Sequence, residues 1–390
     1  MGFRRSLIVL LSSLTSLLTA ASAGNAAEAR QESFGTMPDG RPVTAITLTN
    51  DNKLQIRVIS LGATLQSLRA PDRNAKIDDV VLGYSDLKGY LANSSYFGAT
   101  VGRFANRVAK GRFTLDGHSY QLPINNGVNS LHGGTVGFGQ VLWTVVDVKS
   151  GPEASVTLRT VSPDGDQGYP GQLTATATYS LNERNELSLD YRATTDKPTI
   201  VNLSNHAYWN LAGEGSGRSI LNQLLTMPAD AFTPVDDTQI PTGEMRSVTG
   251  TPFDFRKAKA IGRDIRDGRD GQLLTGRGYD HNWVIGRQPV TDPRLVARVE
   301  DPVSGRVLEI LSTQPGLQFY SGNFLDGSVV GKDGHVYRQG DGLALEPQLF
   351  PDTPNRPEFG SARLDPGRIY ENRIVYRFTT SAKSNSEASP

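Results

Sequence analysis

A histidine set among aromatic and amide side chains is the first feature of this sequence that could carry chemistry. Residues 201–213 read VNLSNHAYWNLAG, which places His206 after a short β-type run and close to Tyr208 and Trp209. Histidine exchanges a proton near neutral pH. Aromatic rings cover the apolar faces of a sugar ring, and amides bind its hydroxyl groups. The stretch therefore suggests proton transfer on a sugar, and the alternative is a hydrogen-bonded structural histidine at a strand end.

Composition restricts the class of protein and the kind of site. The chain has 390 residues, of which 21% are charged and 37% hydrophobic, an ordinary composition for a globular protein with a large core. Lys and Arg residues number 40, as do Asp and Glu residues, so nothing favours nucleic acid or an anionic membrane as a partner. The chain has no cysteine, which excludes disulfides, a thiol nucleophile and thiolate metal ligands.

The first residues have the features of an export signal. Arg4 and Arg5 precede a mostly apolar run over residues 7–18, and a small-residue A-S-A site ends at Ala23. We therefore expect residues 1–23 to be a signal peptide that is removed near Ala23, and the mature protein to be periplasmic or extracellular without a membrane anchor. The alternative is an uncleaved anchor, and the arginine pair leaves both the general and the twin-arginine export route open.

The remaining chain consists of short β-type runs separated by turns. Residues 43–49 and 54–60 flank the turn Asn50-Asp51-Asn52 and predict a hairpin. Residues 173–181 and 187–195 alternate apolar and polar side chains, which predicts antiparallel strands with one buried face. Further strands are predicted at 141–149, 155–161, 281–285, 295–300, 306–312, 317–320, 343–346 and 372–380. The best helix candidate is short, at residues 258–266.

These runs predict an all-β protein built as a large antiparallel β-sandwich. Residues 24–33 are interpreted as a polar lead, residues 34–380 as the β-sandwich domain and residues 381–390 as a disordered tail. No composition shift marks a second domain, but the length of the sandwich leaves a division into two domains open.

Six motifs, in order along the chain, resemble those of the aldose 1-epimerase family, which includes galactose mutarotase. They are GRFANRV at 102–108, SLHGG at 130–134, SNHAYWNL at 204–211, GYDHNW at 278–283, TQPGLQFYSGNFL at 313–325 and LALEPQ at 343–348. The resemblance implies a single large antiparallel β-sandwich, of the galactose mutarotase-like supersandwich type, with an open sugar cleft. It also implies conversion between the α and β anomers of free aldoses such as galactose and glucose, with no cofactor and no metal.

The resemblance implies a role for each residue that matches a motif. Glu346 corresponds to the general base, His206 to the general acid, and His132 to a second histidine that supports them. The residues that correspond to sugar-binding positions are Asn106, Arg107, Tyr208, Asp280 and Gln318. Several neighbours are ranked lower: Gln314 as a rival glutamine, Trp209, Trp283 and Phe319 as mainly core residues, and Arg103 as structural.

Mutarotation requires one group to accept the proton of the C1 hydroxyl and another to protonate the ring oxygen O5. The sequence therefore predicts that hydrogen-bond donors keep the pKa of Glu346 low, and that an acceptor raises the pKa of His206. Activity should then fall at low pH with Glu346 and at high pH with His206. One departure from the family pattern is Pro347, directly after Glu346, because proline lacks a backbone N–H.

Three other functions could use the same residues. Asp280 and Glu346 could be the two carboxylates of an exported glycosidase, and a cleft without turnover would make a non-catalytic sugar-binding protein. His132, His206 and His281 could bind a metal with a carboxylate, although none has the helical spacing of an H-E-x-x-H motif. The presence of both His206 and Glu346 favours mutarotation, while the pattern selects no particular aldose and no oligomeric state.

Overall fold

The computed structural model describes residue 2, residues 26–92 and residues 95–382 of the chain. The predicted signal peptide, apart from residue 2, and residues 383–390 of the predicted tail lie outside the described residues. Within the described ranges, no helix has the length and apolar character needed to cross a membrane.

The largest sheet, called the central sheet, has nine strands with antiparallel pairing throughout. From edge to edge its strands are Thr144–Lys149, Glu153–Ser162, Leu173–Asn182, Glu186–Thr195, Tyr370–Thr380, Arg306–Ser312, Arg294–Glu300, Leu224–Thr226 and Lys259–Ala260. Leu173, Ala175 and Ala177 are buried, whereas the threonines between them are only partly covered. One face of this sheet therefore packs on the core, as the alternation predicts.

Two smaller antiparallel sheets complete the framework. The site sheet has six strands, in the order Tyr208–Trp209, Leu343–Gln348, Gly316–Tyr320, Asp280–Val284, Ala231–Thr233 and Arg246–Ser247. The N-terminal sheet has five consecutive strands: Glu28–Thr36, Pro42–Thr49, Gln55–Ile59, Thr64–Pro71 and Ile77–Asp79. Its first strand includes residues 28–33, which the sequence assigned to a polar lead.

Within the described part of the chain, short ribbons and two short α-helices accompany these sheets. The paired ribbons are Thr100–Val101 with Ser204–Asn205, Arg107–Val108 with Ser130–Leu131, Arg112–Leu115 with His118–Gln121, Thr199–Ile200 with Arg363–Leu364, and Asp326–Val330 with Val336–Arg338. The α-helices are Leu87–Ala92 and Gly271–Gly276. The helix predicted at residues 258–266 is wrong, because Lys259–Ala260 pairs with Leu224–Thr226 as a strand and only a 3-10 turn, Ile261–Arg263, follows.

One continuous core joins the three sheets. It contains Ile56 and Val58 from the N-terminal sheet, Leu189 from the central sheet, and Trp283 and Phe319 from the site sheet, all fully buried. Because side chains alternate across a strand, the residues between those core positions on the site sheet face the opposite side. The all-β antiparallel architecture is therefore confirmed, and the opposite face of the site sheet is free to carry polar side chains.

Candidate active site

The register of the site sheet brings several predicted residues to one face. Leu317 and Phe319 enter the core, so Gln318 projects to the other face. The strand Gly316–Tyr320 lies between the strands of Glu346 and Asp280. On one side, Gln318 lies opposite Glu346, and on the other side, Tyr320 lies opposite Asp280. Cross-strand partners on one face have Cβ atoms within about 5.5 Å of each other. The sheet therefore collects carboxylates and an amide that are far apart in the chain.

Two short ribbons bring the basic and histidine side chains to the same face. Arg107 pairs with Leu131 in an antiparallel ribbon, which sets Arg107 beside the loop that holds His132. Gly133 is required there, because a Cβ at this position would lie 1.9 Å from the carbonyl oxygen of Gly102. The ribbon formed by Thr100–Val101 and Ser204–Asn205 leads directly into His206.

These elements surround a cleft of about 620 Å³. Its lining includes seven of the eight residues predicted for the site: Asn106, Arg107, His132, His206, Tyr208, Asp280 and Glu346. The eighth residue, Gln318, is not among the lining residues, but its Nε2 donates a hydrogen bond of 2.7 Å to Asp280 Oδ1. Gln318 therefore acts on the cleft through Asp280.

His206 and Glu346 form a buried pair in the lining of this cleft. His206 Nε2 lies 3.7 Å from Glu346 Oε1, and the side chains are only 7% and 2% exposed. The His206 ring is also in contact with the rings of Tyr96, His132 and Tyr208, at centroid distances of 5.8, 5.2 and 5.0 Å. The sheet and the rings thus hold both groups with little access to bulk water.

Burial shifts both pKa values in the direction opposite to the sequence prediction. Desolvation lowers the pKa of His206 to about 4. Desolvation, helped by the charge of Asp280 and opposed by that of Arg107, raises the pKa of Glu346 well above its usual range. The predicted directions of both pKa shifts are therefore wrong. The observed directions favour a state with one proton on Glu346 and a neutral His206.

Arg107 and Asp280 provide the charged groups beside the pair. Arg107 Nη2 lies 3.7 Å from Asp280 Oδ2, and Arg107 Nε donates a 3.0 Å hydrogen bond to Asn126 Oδ1. Burial raises the pKa of Asp280, while Arg107 and the Gln318 amide oppose the increase. Such a fixed set of planar donors and acceptors suits the vicinal hydroxyls of a sugar ring.

The residues ranked lower in the sequence lie away from the cleft. Trp209, Trp283 and Phe319 are fully buried in the core. Gln314 Nε2 instead donates to the carbonyl of Glu371. Arg103 is structural, as predicted: it is 2% exposed and donates five hydrogen bonds, to Ser162 Oγ and to the carbonyls of Ser162, Pro163, Pro170 and Gly171.

The sequence reasoning missed three aromatic residues of the cleft. Tyr96, Tyr320 and Phe324 all line it. The period of two along the strand Gly316–Tyr320 could have identified Tyr320, because it shares a face with Gln318. Tyr96 has φ of 58° in a loop, a conformation that no pattern of apolar and polar residues indicates.

Pro347 occupies an unusual position next to Glu346. It lies opposite Leu317 inside the site sheet, in a strand that has neighbours on both sides, where proline cannot donate a ladder hydrogen bond. Its carbonyl oxygen accepts hydrogen bonds from Ser204 Oγ at 2.9 Å and from Asn372 Nδ2 at 3.2 Å. These two side-chain hydrogen bonds therefore hold the backbone directly after Glu346 in place.

The structure does not bring together the three histidines that the sequence analysis considered as metal ligands. His281 packs against the rings of Phe232 and Phe253 instead of joining the other two histidines. Potential ligand atoms of His132, His206 and Glu346 lie within 4.8 Å of one another. Distance alone would therefore allow this trio to contact a cation.

Comparison with known proteins places the chain among carbohydrate epimerases. The family described as aldose 1-epimerase matches residues 44–377. The mouse protein named galactose mutarotase is 45% identical over 346 residues, covering 89% of this chain and 97% of the mouse protein. The aldose 1-epimerase of Escherichia coli K12 is 38% identical over 343 residues, which are 87% of this chain and 96% of the relative.

Solved structures agree with the sequence relatives. The crystal structure of galactose 1-epimerase from Lactobacillus acidophilus has a TM-score of 0.79 at 29% identity, covering 91% of this chain and 99% of that one. An aldose epimerase homologue from C. elegans has a TM-score of 0.77 at 36% identity, covering 85% and 97% of the two chains. With the matching motifs gathered around one cleft, the chain belongs to the aldose 1-epimerase family.

Proposed function

We propose that this protein is an aldose 1-epimerase that interconverts the α and β anomers of free aldoses such as galactose and glucose. The observation that carries the proposal is the buried pair of His206 and Glu346, 3.7 Å apart, in a cleft that also contains Arg107 and Asp280. The relatives named galactose mutarotase and aldose 1-epimerase match 89% and 87% of this chain.

The reaction opens and closes the sugar ring by two proton transfers. A base takes the proton of the C1 hydroxyl, the C1–O1 bond becomes a carbonyl, the C1–O5 bond breaks, and an acid protonates O5. Rotation about C1–C2 then presents the other face of the carbonyl, and the same steps run in reverse. Glu346 is proposed as the base and His206 as the acid, and they exchange these roles when the ring closes.

The proton count of the pair reconciles this assignment with the pKa shifts. Glu346 with one proton and neutral His206 together hold as many protons as ionised Glu346 with protonated His206. The C1 hydroxyl donates to the carboxylate and O5 accepts from the imidazolium, so a bound sugar favours the charged form of both groups. The two groups titrate as a unit, and one shared proton supplies one acid and one base.

Substrate positioning is proposed for the polar residues beside the pair. Arg107 offers a planar fork of donors to adjacent hydroxyl oxygens, and Asp280 accepts from hydroxyl groups away from C1. Asn106 contributes an amide, and Tyr208 lies against His206, with ring centroids 5.0 Å apart. Gln318 holds the Asp280 carboxylate through a 2.7 Å hydrogen bond.

The reaction is proposed to need no metal and no cofactor, since it requires only proton transfers and the pair supplies both. Prolonged dialysis against EDTA should leave kcat within twofold of the untreated enzyme. A loss that returns with one particular divalent cation would contradict this part of the proposal.

Polarimetry on freshly dissolved α-D-galactose and α-D-glucose tests the activity. The wild type should accelerate the decay of optical rotation, and His206→Asn should abolish the acceleration. An assay of the same samples on nitrophenyl glycosides would detect a glycosidase. Glycoside cleavage without mutarotation would refute the proposal, and so would tight sugar binding without either activity.

Export is proposed from the N-terminal sequence alone, so that the enzyme would equilibrate sugar anomers outside the cytoplasm before uptake. Expression of the full chain, followed by N-terminal sequencing of protein from the periplasm and medium, tests this location. A mature N-terminus near residue 24 is expected. Recovery of the uncleaved chain from the cytoplasm alone would contradict it.

A further inference from the structure

Asn106 and His132 form a reciprocal pair of hydrogen bonds beside the catalytic pair. The backbone N–H of Asn106 donates to His132 Nδ1 at 3.1 Å, and the backbone N–H of His132 donates to the carbonyl of Asn106 at 3.1 Å. Both residues have left-handed backbones, with φ of 65° and 50°. The adjoining ribbon of Arg107–Val108 and Ser130–Leu131 holds the two loops in register.

This arrangement determines which nitrogen of His132 carries hydrogen. A neutral imidazole has one N–H and one nitrogen with a free lone pair, whereas a peptide N–H can only donate. Nδ1 must therefore supply the lone pair, and the hydrogen resides on Nε2. His132 is 5% exposed and its pKa is lowered well below the usual value by burial, in agreement with a neutral ring.

We infer that the backbone N–H of Asn106 fixes His132 as the Nε2–H tautomer, and that His132 is a permanent hydrogen-bond donor to the sugar instead of a proton carrier. The second half of the inference rests on the proposed mutarotase function, whereas the tautomer does not. Asn106 is thus a positioning residue through its backbone, in addition to the amide that it presents to the cleft.

His206 differs from His132 in the hydrogen bonding of its Nδ1. Its Nδ1 is buried and has no hydrogen-bond partner among the described residues, and its Nε2 faces Glu346 Oε1 at 3.7 Å. Among the described residues, no backbone N–H of another residue therefore occupies a ring nitrogen of His206, and the backbone of His206 itself favours the protonated ring. The two histidines therefore have different roles. His132 donates a hydrogen bond from a fixed N–H, and His206 exchanges its proton with Glu346 and the sugar.

The same tautomer bears on the trio of His132, His206 and Glu346. A nitrogen that carries hydrogen offers no lone pair to a cation, and Nδ1 of His132 is already engaged. The trio therefore lacks its third ligand, although its atoms are close enough.

Nitrogen-15 NMR of histidine-labelled full-length protein tests the tautomer directly, without any sugar or activity. The chain has only five histidines, so the His132 signals can be assigned by their loss in His132→Gln. His132 should show a protonated Nε2 and an unprotonated Nδ1 at pH 7. His281 is the matched internal control, because its Nδ1 accepts from the Asp280 N–H at 3.1 Å. Exposed His118 should show averaged tautomers. A hydrogen on Nδ1 of His132, or averaged signals, would overturn the inference.

A pair of variants tests the donor role. The amide nitrogen of Gln can reach the position of Nε2, whereas that of Asn corresponds to Nδ1. His132→Gln should therefore keep a kcat at least about tenfold above that of His132→Asn, with the pH limits of the wild type. Equal losses of kcat in both variants, with a displaced pH limit in His132→Gln, would identify His132 as a proton carrier and overturn the donor role. The NMR signals of His281 report whether each variant is folded.

Discussion

Replacing Glu346 with Gln should remove catalysis while leaving the fold intact. Glu346 lies in the buried strand Leu343–Gln348, and its Oε2 has no hydrogen-bond partner among the described residues. Burial raises the pKa of Glu346 and so favours its neutral carboxylic acid, which Gln replaces with a neutral group of the same shape. Because the shape and the neutral charge are kept, we expect the free energy of unfolding to change by less than about 1.5 kcal/mol, near the lower end of the usual range for single substitutions.

The catalytic loss should be much larger. A positioned proton transfer contributes about 10²- to 10⁴-fold to a rate, and Gln can neither accept nor release the proton. The acid is lost as well, because a lone His206 with a pKa of about 4 is protonated in only about one molecule in 10³ at pH 7. We therefore expect kcat of Glu346→Gln to fall by at least about 10³-fold, equivalent to ~4 kcal/mol of transition-state stabilisation.

Polarimetric kcat and KM, measured beside urea unfolding, test both halves of this prediction. KM should change little, because Arg107 and Asp280 remain. Glu309→Gln is the matched control, since it makes the same exchange at a partly exposed position of the central sheet and should retain wild-type kcat. A Glu346→Gln variant within tenfold of the wild-type kcat would refute the proposed role of Glu346.

Three further predictions concern the pH dependence of the rate, the hydrogen bond from Gln318 to Asp280, and the buried Arg103. The rate profile should fall below about pH 4, where the pair of His206 and Glu346 gains a second proton, and again at higher pH, where the pair loses its only proton through the raised pKa of Glu346. An acidic limit between pH 6 and 7, as for an unperturbed histidine, would contradict this order. Gln318→Leu removes the 2.7 Å hydrogen bond to Asp280. In steady-state polarimetry it should raise KM about tenfold and change kcat by less than about threefold. An unchanged KM would show that Gln318 does not position Asp280 for sugar binding. Arg103→Met removes the side-chain donor from the buried carbonyls of Ser162, Pro170 and Gly171. It should lower the free energy of unfolding by at least about 3 kcal/mol in urea titrations, and a loss below about 1 kcal/mol would rule out this structural role.

The strands were predictable because their side chains alternate over long stretches. The sequence predicts a strand at 306–312, and the structure has Arg306–Ser312. It predicts 173–181 and 187–195, and the structure has Leu173–Asn182 and Glu186–Thr195. The helix at 258–266 failed because partner strands, which local spacing does not reveal, pair with Lys259–Ala260.

The site was predictable as a set of residues but not as an electrostatic environment. Motifs identified His206 and Glu346, and the sheet register then placed Gln318 opposite Glu346. Their pKa directions depend on how completely distant segments exclude water, which no motif contains. Tyr96 likewise reaches the cleft through a left-handed loop residue packed against the His132 ring at 4.7 Å.

The exchange between anomers at equilibrium tests the central claim most directly. Saturation of the α anomeric proton of D-galactose by NMR, with catalytic amounts of wild-type protein, should transfer to the β signal far faster than in buffer. The same protein should leave methyl galactosides, which have no free C1 hydroxyl, unchanged. Transfer at the buffer rate with folded protein, or release of methanol from the glycoside, would contradict the account.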